Sequence, residues 1–267
     1  MSRDFEEELK ELLLDFDDFD EYNACDDVNI SVPMGLCKKL VDIVFCIDVT
    51  SSMATIFNKI KTFLLDLSNN VFADTFGMGR CLKQLRVKVI AFRDYYYCDG
   101  QFAMAESQFY SLPKETAAFS EYVLGLKADG GGDEPENALE AIALAMKSDW
   151  VHAISTNEKA RNIIVVFTDA AAHPLEKSAE VISEYYPTDM LKSYSQLVEA
   201  WQGSGSLGYD RIEKYRMNPR VKRMIVYAPY NMYPWNELEF DLEMMIMRNI
   251  EDLTPEEISS DIKSAIV

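Results

Sequence analysis

The chain has 267 residues, enough for one large domain or two small ones with a substantial core. Its net charge of −19 is unusually acidic, although 48% hydrophobic and 27% charged residues are ordinary for a globular protein. Such a charge repels nucleic-acid phosphates, so we expect no direct nucleic-acid binding and favour a basic partner or a cation. No apolar run reaches the length of a membrane span and no signal-like segment opens the chain, so we expect a soluble cytoplasmic protein without a membrane partner.

Cysteine and histidine usage argues against disulfides and against a zinc site. The five cysteines form no CxxC pair, and Cys46 lies within an apolar strand, so we expect reduced thiols. Only two histidines are present, His152 and His173, which leaves little material for a zinc site of the usual kind.

The first 35 residues are predicted to form an acidic N-terminal arm that precedes a domain at 36–267. Residues 1–27 contain twelve acidic and two basic side chains. Residues 5–16 place apolar side chains at helical spacing, so the arm is predicted to be either a docking helix or a mostly disordered tail.

From residue 41 onward, apolar strands alternate with helical patterns. Strands are predicted at 41–47, 86–95, 161–170, 221–230 and 243–250, with a short antiparallel edge strand at 102–110. Helices are predicted at 53–72, 114–126, 135–150, 174–203 and from 254 to the C-terminus. Strands that are apolar on both faces predict an α/β fold with a doubly wound, mostly parallel sheet and helices on both faces, as in Rossmann-like proteins. In such folds, sites lie at the carboxyl ends of the strands.

Oxygen-bearing side chains concentrate at two of these strand ends and in a glycine-rich loop at 128–135, called the glycine loop below. The candidate ligands are Asp48, Thr50 and Ser52 after the first strand, Asp133 in the glycine loop, and Asp169 after the strand at 161–170. Hard divalent cations prefer such a set, so it predicts a Mg²⁺ site, with Mn²⁺ as an alternative ion. Each residue alone has a simpler interpretation as a helix cap or a turn residue.

At these positions the sequence resembles the von Willebrand factor type A (VWA) family. The family's metal-ion-dependent adhesion site (MIDAS) has a D-x-[ST]-x-S motif, which here is DVTSS at 48–52. The resemblance continues in VIAFRDY at 89–95, GGGDEPENAL at 130–139 and VVFTDAAAHP at 165–174, and covers roughly residues 38–260. The pattern is most similar to the intracellular branch that contains the alpha-kinase VWA domains and many bacterial proteins.

The resemblance implies a Mg²⁺-dependent protein-interaction module that acts as an intracellular adaptor. Asp48, Thr50 and Ser52 would be ligands from the first loop, and Asp169 would be the carboxylate of the third. Adhesive members use a threonine in the second loop, whereas this chain has Asp133. A third carboxylate would over-neutralise the ion, which weakens its pull on an acidic partner. The resemblance identifies neither the partner nor the oligomeric state.

Two other functions remain open at this stage. A Mg²⁺-dependent phosphohydrolase could use Asp48 as its nucleophile, but phosphatases of the haloacid dehalogenase type need a second aspartate where this chain has Thr50. Alternatively, the metal site is degenerate and the fold serves as a scaffold. The sequence contains no convincing catalytic constellation, so we do not predict an enzyme.

Several residues near the strand ends have competing interpretations. His173 is interpreted as a surface histidine or a residue at a helix start in preference to one that orients a carboxylate beside the site. Arg93 is expected to pair with a nearby acid and brace the metal loops. The tyrosines at 95–97 would form either a contact surface or half-buried packing, while Trp201 and Trp235 are expected to pack in the core.

Overall fold

The computed structural model describes residues 38–67, 82–97, 100–132, 134–181, 183–203, 213–215 and 217–267. The predicted acidic arm lies outside these residues, and so does Asp133. The division between an arm at 1–35 and a domain at 36–267 therefore stays a prediction.

Within the described residues, seven strands form one sheet. The strands are β1 (Lys38–Asp48), β2 (Leu82–Phe92), β3 (Met104–Glu106), β4 (Tyr110–Leu112), β5 (Glu158–Phe167), β6 (Lys222–Tyr227) and β7 (Met245–Arg248). Their order is β3-β2-β1-β5-β6-β7, and β4 also pairs with β2. The pairs among β2, β1, β5, β6 and β7 are parallel, while β3 and β4 run antiparallel to β2. This sheet confirms the predicted fold class, with the expected edge strand at 102–110 replaced by two three-residue strands.

The helices between the strands are short. They are α1 (Ala54–Leu65), α2 (Gly100–Ala103), α3 (Thr116–Gly125), α4 (Ala138–Met146), α5 (Tyr194–Gln202), α6 (Trp235–Asp241) and α7 (Pro255–Ile266). Three 3₁₀ segments, Leu175–Glu180, Glu213–Tyr215 and Ile250–Asp252, complete the described elements. Within the described stretches, none of the helices combines the length and the apolar character that crossing a bilayer requires.

Strand β1 lies at the centre of the sheet and is buried on both faces. Ile43 and Phe45 belong to a core layer shared with α1 and α7. Val44 and Cys46 belong to the opposite layer, which contains every apolar residue of α4. All nine residues of α4 are buried, including Glu140. Helices therefore cover both faces of β1, which explains why the run at 41–47 is almost entirely apolar.

Two predicted elements end earlier or break for local reasons. The predicted strand at 86–95 stops at Phe92, because the Asp94 side chain accepts the N–H of Tyr96 at 2.7 Å and turns the chain. The predicted helix at 174–203 contains a 3₁₀ segment and α5, separated by a stretch that includes Pro187. Ser193 then caps α5 by accepting the N–H of Gln196.

The observed starts and ends of the helices agree with the sequence prediction at some positions and differ at others. Thr254 and Glu257 form the predicted capping box at the start of α7. By contrast, the predicted helix at 135–150 begins only at Ala138, and α6 was not predicted. The predicted helix at 53–72 is regular at Ala54–Leu65, and its last predicted residues, 68–72, lie outside the described residues.

Candidate metal centre

The carboxylate of Asp48 is the innermost group of the candidate site. It is the last residue of β1 and is fully buried. Its Oδ1 accepts the backbone N–H of Thr50 at 2.9 Å and the hydroxyl of Thr50 at 2.6 Å. Its Oδ2 accepts the hydroxyl of Thr168 at 2.7 Å. Three donors from two strand ends therefore fix the orientation of Asp48.

The oxygen atoms continue from Asp48 toward the surface. The Thr50 hydroxyl oxygen lies 3.1 Å from the Ser52 hydroxyl oxygen, and Ser52 donates to Asp169 Oδ1 at 3.0 Å. Thr50 is buried, Asp169 is half-buried and Ser52 is exposed, so the chain of oxygens ends at solvent. The structure thus brings together four of the five predicted ligands, while the fifth, Asp133, lies outside the described residues.

Burial sets the electrostatics of this site. It raises the pKa of Asp48 to about 6, against the opposing effect of the hydrogen bonds from Thr50 and Thr168, and the charge of Asp169 adds to the increase. Within the described residues, no group of three or more His, Cys, Asp and Glu side chains could hold a metal ion. A cation here would therefore need the hydroxyl oxygens of Thr50 and Ser52 in addition to the two carboxylates.

Thr168 is a site residue that the sequence prediction did not include among the ligands. Its hydroxyl donates to Asp48 and accepts the backbone N–H of Ala170 at 3.2 Å. It thereby connects the end of β5 to the end of β1. Its position directly before Asp169, at the end of a buried strand, was the available signal.

The glycine loop lies against the first loop because glycines permit close backbone approach. The N–H and the hydroxyl of Ser51 both donate to the carbonyl of Gly130, at 3.1 and 2.9 Å. Gly131 has φ +77°, and a Cβ there would lie 3.0 Å from Cβ of Thr50. A Cβ on Gly132 would lie 2.5 Å from the ring of Tyr97. Side chains at these two positions would push the glycine loop away from its neighbours.

The end of the glycine loop is tied to the loop after β5. The backbone N–H of Glu136 donates to the carbonyl of Ala171 at 2.9 Å, and the N–H of His173 donates to the carbonyl of Glu136 at 2.8 Å. Glu136 also forms an isolated parallel bridge with Ala172. The glycine loop is therefore held in register with the segment that carries Asp169.

A second set of contacts ties this region to the loop after β2. The N–H of Asn137 donates to the carbonyl of Arg93 at 3.1 Å, and its side-chain oxygen accepts the N–H of Tyr95 at 2.6 Å. Arg93 in turn donates to the Asp129 carboxylate at 2.7 Å and to the carbonyl of Phe102 at 2.9 Å. The predicted pairing of Arg93 with a nearby acid is confirmed, and the acid is Asp129.

His173 is not a surface residue, although it directly precedes Pro174 and the 3₁₀ segment at Leu175–Glu180, as its interpretation as a residue at a helix start expects. Its side chain is buried, and its Nε2 lies 3.4 Å from Oδ1 of the fully buried Asp94. The ring of Tyr96 covers the imidazole, with 4.4 Å between ring centroids. His173 therefore lies below the surface of the candidate site, next to a carboxylate that the sequence analysis had not selected.

The aromatic residues separate into core and surface. Trp201 and Trp235 are fully buried, as predicted. Tyr95 is buried as well, whereas Tyr97 is 63% exposed. The tyrosine run thus contributes one residue to packing and one to the surface beside the glycine loop.

Comparisons with known proteins match part of the chain to a family. A model of the von Willebrand factor type A domain matches residues 43–172, a stretch that contains the DVTSS motif, the glycine loop and Asp169. A comparison with curated proteins found no match.

Two solved structures of pilus proteins show weak likeness. The pilus adhesin SpaC from Lactobacillus rhamnosus GG is 13% identical, with a TM-score of 0.49, and the match covers 85% of this chain and 31% of that one. Three N-terminal domains of the type V pili tip protein Mfa5 from Porphyromonas gingivalis are 18% identical, with a TM-score of 0.33, covering 50% and 20% of the two chains. Both TM-scores are below 0.5, so the assignment depends on the family match and the sheet: the chain carries a von Willebrand factor type A domain.

Proposed function

We propose that this domain is a Mg²⁺-dependent protein-interaction module with a MIDAS-like site formed by Asp48, Thr50, Ser52, Asp169 and Asp133. Domains of this family are general protein-interaction modules. The observation that carries the proposal is the continuous series of oxygens from Asp48 through Thr50 and Ser52 to Asp169, with successive separations of 2.6, 3.1 and 3.0 Å. These oxygens belong to two different strand ends and converge at one edge of the sheet.

The donor set fits a hard cation. All of its atoms are oxygens, and within the described residues neither Asp48 nor Asp169 pairs with a lysine or arginine. A bound Mg²⁺ would supply the missing positive charge and a coordination position for an oxygen of the partner. Direct coordination by Asp133 would place three carboxylates around the ion and weaken its attraction for an acidic group of that partner.

The proposed role is that of a cytoplasmic adaptor. The described cysteine, Cys46, is a free and buried thiol, which is compatible with a reducing compartment. The phosphohydrolase alternative gains no support from the geometry around Asp48, because the residue two positions on is Thr50, whose hydroxyl donates to Asp48.

Calorimetric titration with Mg²⁺ and Mn²⁺ tests the metal site directly. We expect saturable binding to the full chain and loss of binding in Asp169→Asn. Asp149→Asn, which removes the same charge from an exposed position, is the matched control and should bind as the unmodified protein does. A protein that binds neither ion would contradict the proposal and favour a scaffold with a degenerate site.

An affinity experiment tests the interaction function. Cell extract is passed over the immobilised chain in Mg²⁺, and the bound proteins are eluted with EDTA. A column that carries the Asp48→Ala variant is treated in the same way. A phosphatase assay of both proteins is run in parallel. A protein retained in Mg²⁺, released by EDTA and absent from the Asp48→Ala column supports the module. Turnover of a phosphate ester that requires Mg²⁺ and is lost in Asp48→Ala would instead establish the enzyme.

A further inference from the structure

Strand β7 is the outermost strand on one side of the sheet, and β6 is its single neighbour among the described residues. The carbonyls of Met244 and Arg248 accept backbone N–H groups of β6 and of the residue after it, at 3.0 and 3.1 Å. Backbone groups alternate between the two edges of a strand, so the N–H and C=O groups of Met245 and Met247 point away from β6. The carbonyl of Met247 accepts the hydroxyl of Tyr230 at 3.3 Å. The other outward groups are oriented to form backbone hydrogen bonds with an added strand.

Apolar side chains that reach solvent are concentrated just before this edge and along it. Phe240 in α6 is 89% exposed, and Met244 is 53% exposed. Met245 and Ile246 in β7 are half-buried. All four lie within positions 240–246, and α6 contacts β7. Single exposed apolar residues are common on protein surfaces, but a group of them beside a strand edge indicates a binding surface.

The backbone at Met244 is held in an unusual conformation. Its φ is +61°, and it is the single non-glycine residue with a positive φ in the part of the chain that the structure describes. The indole N–H of Trp201 donates to the carbonyl of Glu243 at 2.8 Å, and β6 holds the carbonyl of Met244, so the conformation is fixed from both sides. A bulky side chain in the left-handed region is strained, and such strain is concentrated at functional positions.

The charges around this edge are mostly negative. Residues 235–252 contain six acidic side chains and one basic side chain, Arg248, which already pairs with Asp261 at 3.1 Å. All six acids are exposed, and none of them forms an ion pair within the described residues; they are Glu237, Glu239, Asp241, Glu243, Glu251 and Asp252. A negative surface attracts a basic segment and repels a second copy of itself.

We propose that the β7 edge, defined as Phe240 together with Met244–Arg248, binds an extended segment of another protein in which lysine or arginine alternates with apolar residues. The segment adds to the sheet as a further strand, through backbone hydrogen bonds to Met245 and Met247. Its apolar side chains contact Phe240 and Met244, and its basic side chains meet the acids of residues 235–252. The candidate metal ligands lie elsewhere, after β1 and β5, so this binding needs no Mg²⁺ and does not rest on the proposed function.

Fluorescence anisotropy with synthetic peptides tests this proposal on the full chain in EDTA. The probes are short labelled peptides that alternate lysine with valine, isoleucine or phenylalanine. We expect at least one probe to bind saturably and to slow hydrogen exchange at the amides of Met245 and Met247. A control peptide with glutamate in place of lysine should bind at least about tenfold more weakly.

Two further control peptides carry N-methyl groups on alternate residues, one peptide for each edge of the added strand. The one methylated on the edge that faces β7 should also bind at least about tenfold more weakly, because its backbone cannot donate to the sheet. The proposal is overturned if none of the probes binds, if the glutamate peptide binds equally well, or if both methylated peptides bind as tightly as the probe.

Phe240→Ser tests whether the probe binds at this edge. It should weaken probe binding at least about fivefold, as expected for loss of an aromatic contact. Ile154→Ser is the matched control, because Ile154 is also 89% exposed but lies before β5, and it should leave the affinity unchanged. Probe binding that Phe240→Ser leaves intact, or that does not slow exchange at Met245 and Met247, places the peptide elsewhere and overturns the assignment.

Discussion

Strand β1 carries two fully buried aspartates, Asp42 within the strand and Asp48 at its last residue, and their surroundings differ. Asp42 accepts from Nε of Arg86 at 2.9 Å, also pairs with Nη2 of Arg86, and accepts the N–H of Val151 at 2.6 Å. Among the described residues, Asp48 accepts only from the neutral groups of Thr50 and Thr168. The chain thus supplies the counter-charge of Asp42 itself, whereas Asp48 lacks one within the described residues.

This difference separates an acid whose charge the described part of the chain compensates from one whose charge it leaves uncompensated. A buried ion pair with complete hydrogen bonding has no need of a ligand, and it holds the strands together. A buried carboxylate that only neutral donors orient is partly uncompensated, and its charge is available for a cation. The two aspartates of this strand are therefore expected to respond in opposite ways to mutation, to pH and to Mg²⁺.

The largest effect is expected at Asp42. Arg86→Met should lower the free energy of unfolding by about 3 to 5 kcal/mol, because it leaves the Asp42 carboxylate buried without its partner. Urea denaturation followed by circular dichroism measures this loss. The control is Lys83→Met, which removes the solvent-exposed lysine that pairs with Glu158 and should cost much less stability than Arg86→Met. Similar losses of stability in both variants would show that the ion pair of Asp42 with Arg86 has no special structural role.

Asp48→Asn should have the opposite sign in the absence of metal. Because the fold favours the neutral form of Asp48, the variant in EDTA at pH 7.5 should be more stable than the unmodified protein by about 1 to 3 kcal/mol. It should also lose any rise in Tm on addition of Mg²⁺. Differential scanning calorimetry in EDTA and in Mg²⁺ measures both quantities. A destabilised variant that keeps its response to Mg²⁺ would show that Asp48 is structural, as Asp42 is.

The pH dependence sharpens the same comparison. With its pKa raised to about 6, Asp48 favours the folded state most at low pH, and this contribution is lost as pH rises through about 6. Protons compete with the cation, so apparent Mg²⁺ affinity should fall about tenfold for each pH unit below 6. Calorimetric titrations between pH 5 and 7.5 measure the slope. An affinity that is constant over this range would exclude Asp48 as the proton-linked ligand.

The smallest effect is expected in the glycine loop. Gly131→Ala places a Cβ at a positive φ and 3.0 Å from Cβ of Thr50, so we expect a loss of about 1 kcal/mol together with weaker Mg²⁺ binding. Gly125→Ala is the matched control, because a Cβ there meets nothing within 4 Å. Thermal unfolding and metal titration of the pair separate the local requirement from a general effect of alanine. Equal behaviour of the two variants would mean that the close approach of Gly131 to Thr50 is dispensable.

Much of the fold was predictable because its strongest signals are local. The apolar run of β1 and the capping box of α7 each depend on a few neighbouring residues, and both were predicted. The irregular stretch between the 3₁₀ segment and α5 was not predicted. Pro187 was a local signal for a break, but the path of this stretch also depends on long-range contacts. One example is the hydrogen bond from Tyr186 to Glu140, 46 residues away in sequence.

The sequence by itself determined the alternation of buried strands and helices, and with it the edge of the sheet at which Asp48 and Asp169 meet. It did so because the side-chain periodicity of a strand or helix is set by adjacent residues. Only the tertiary structure decided which buried acids have a partner. Asp42 lies within β1 and Asp94 follows β2, and both are buried, yet one meets Arg86 and the other meets His173. Those pairings depend on residues far apart in the chain, and no local pattern specifies them.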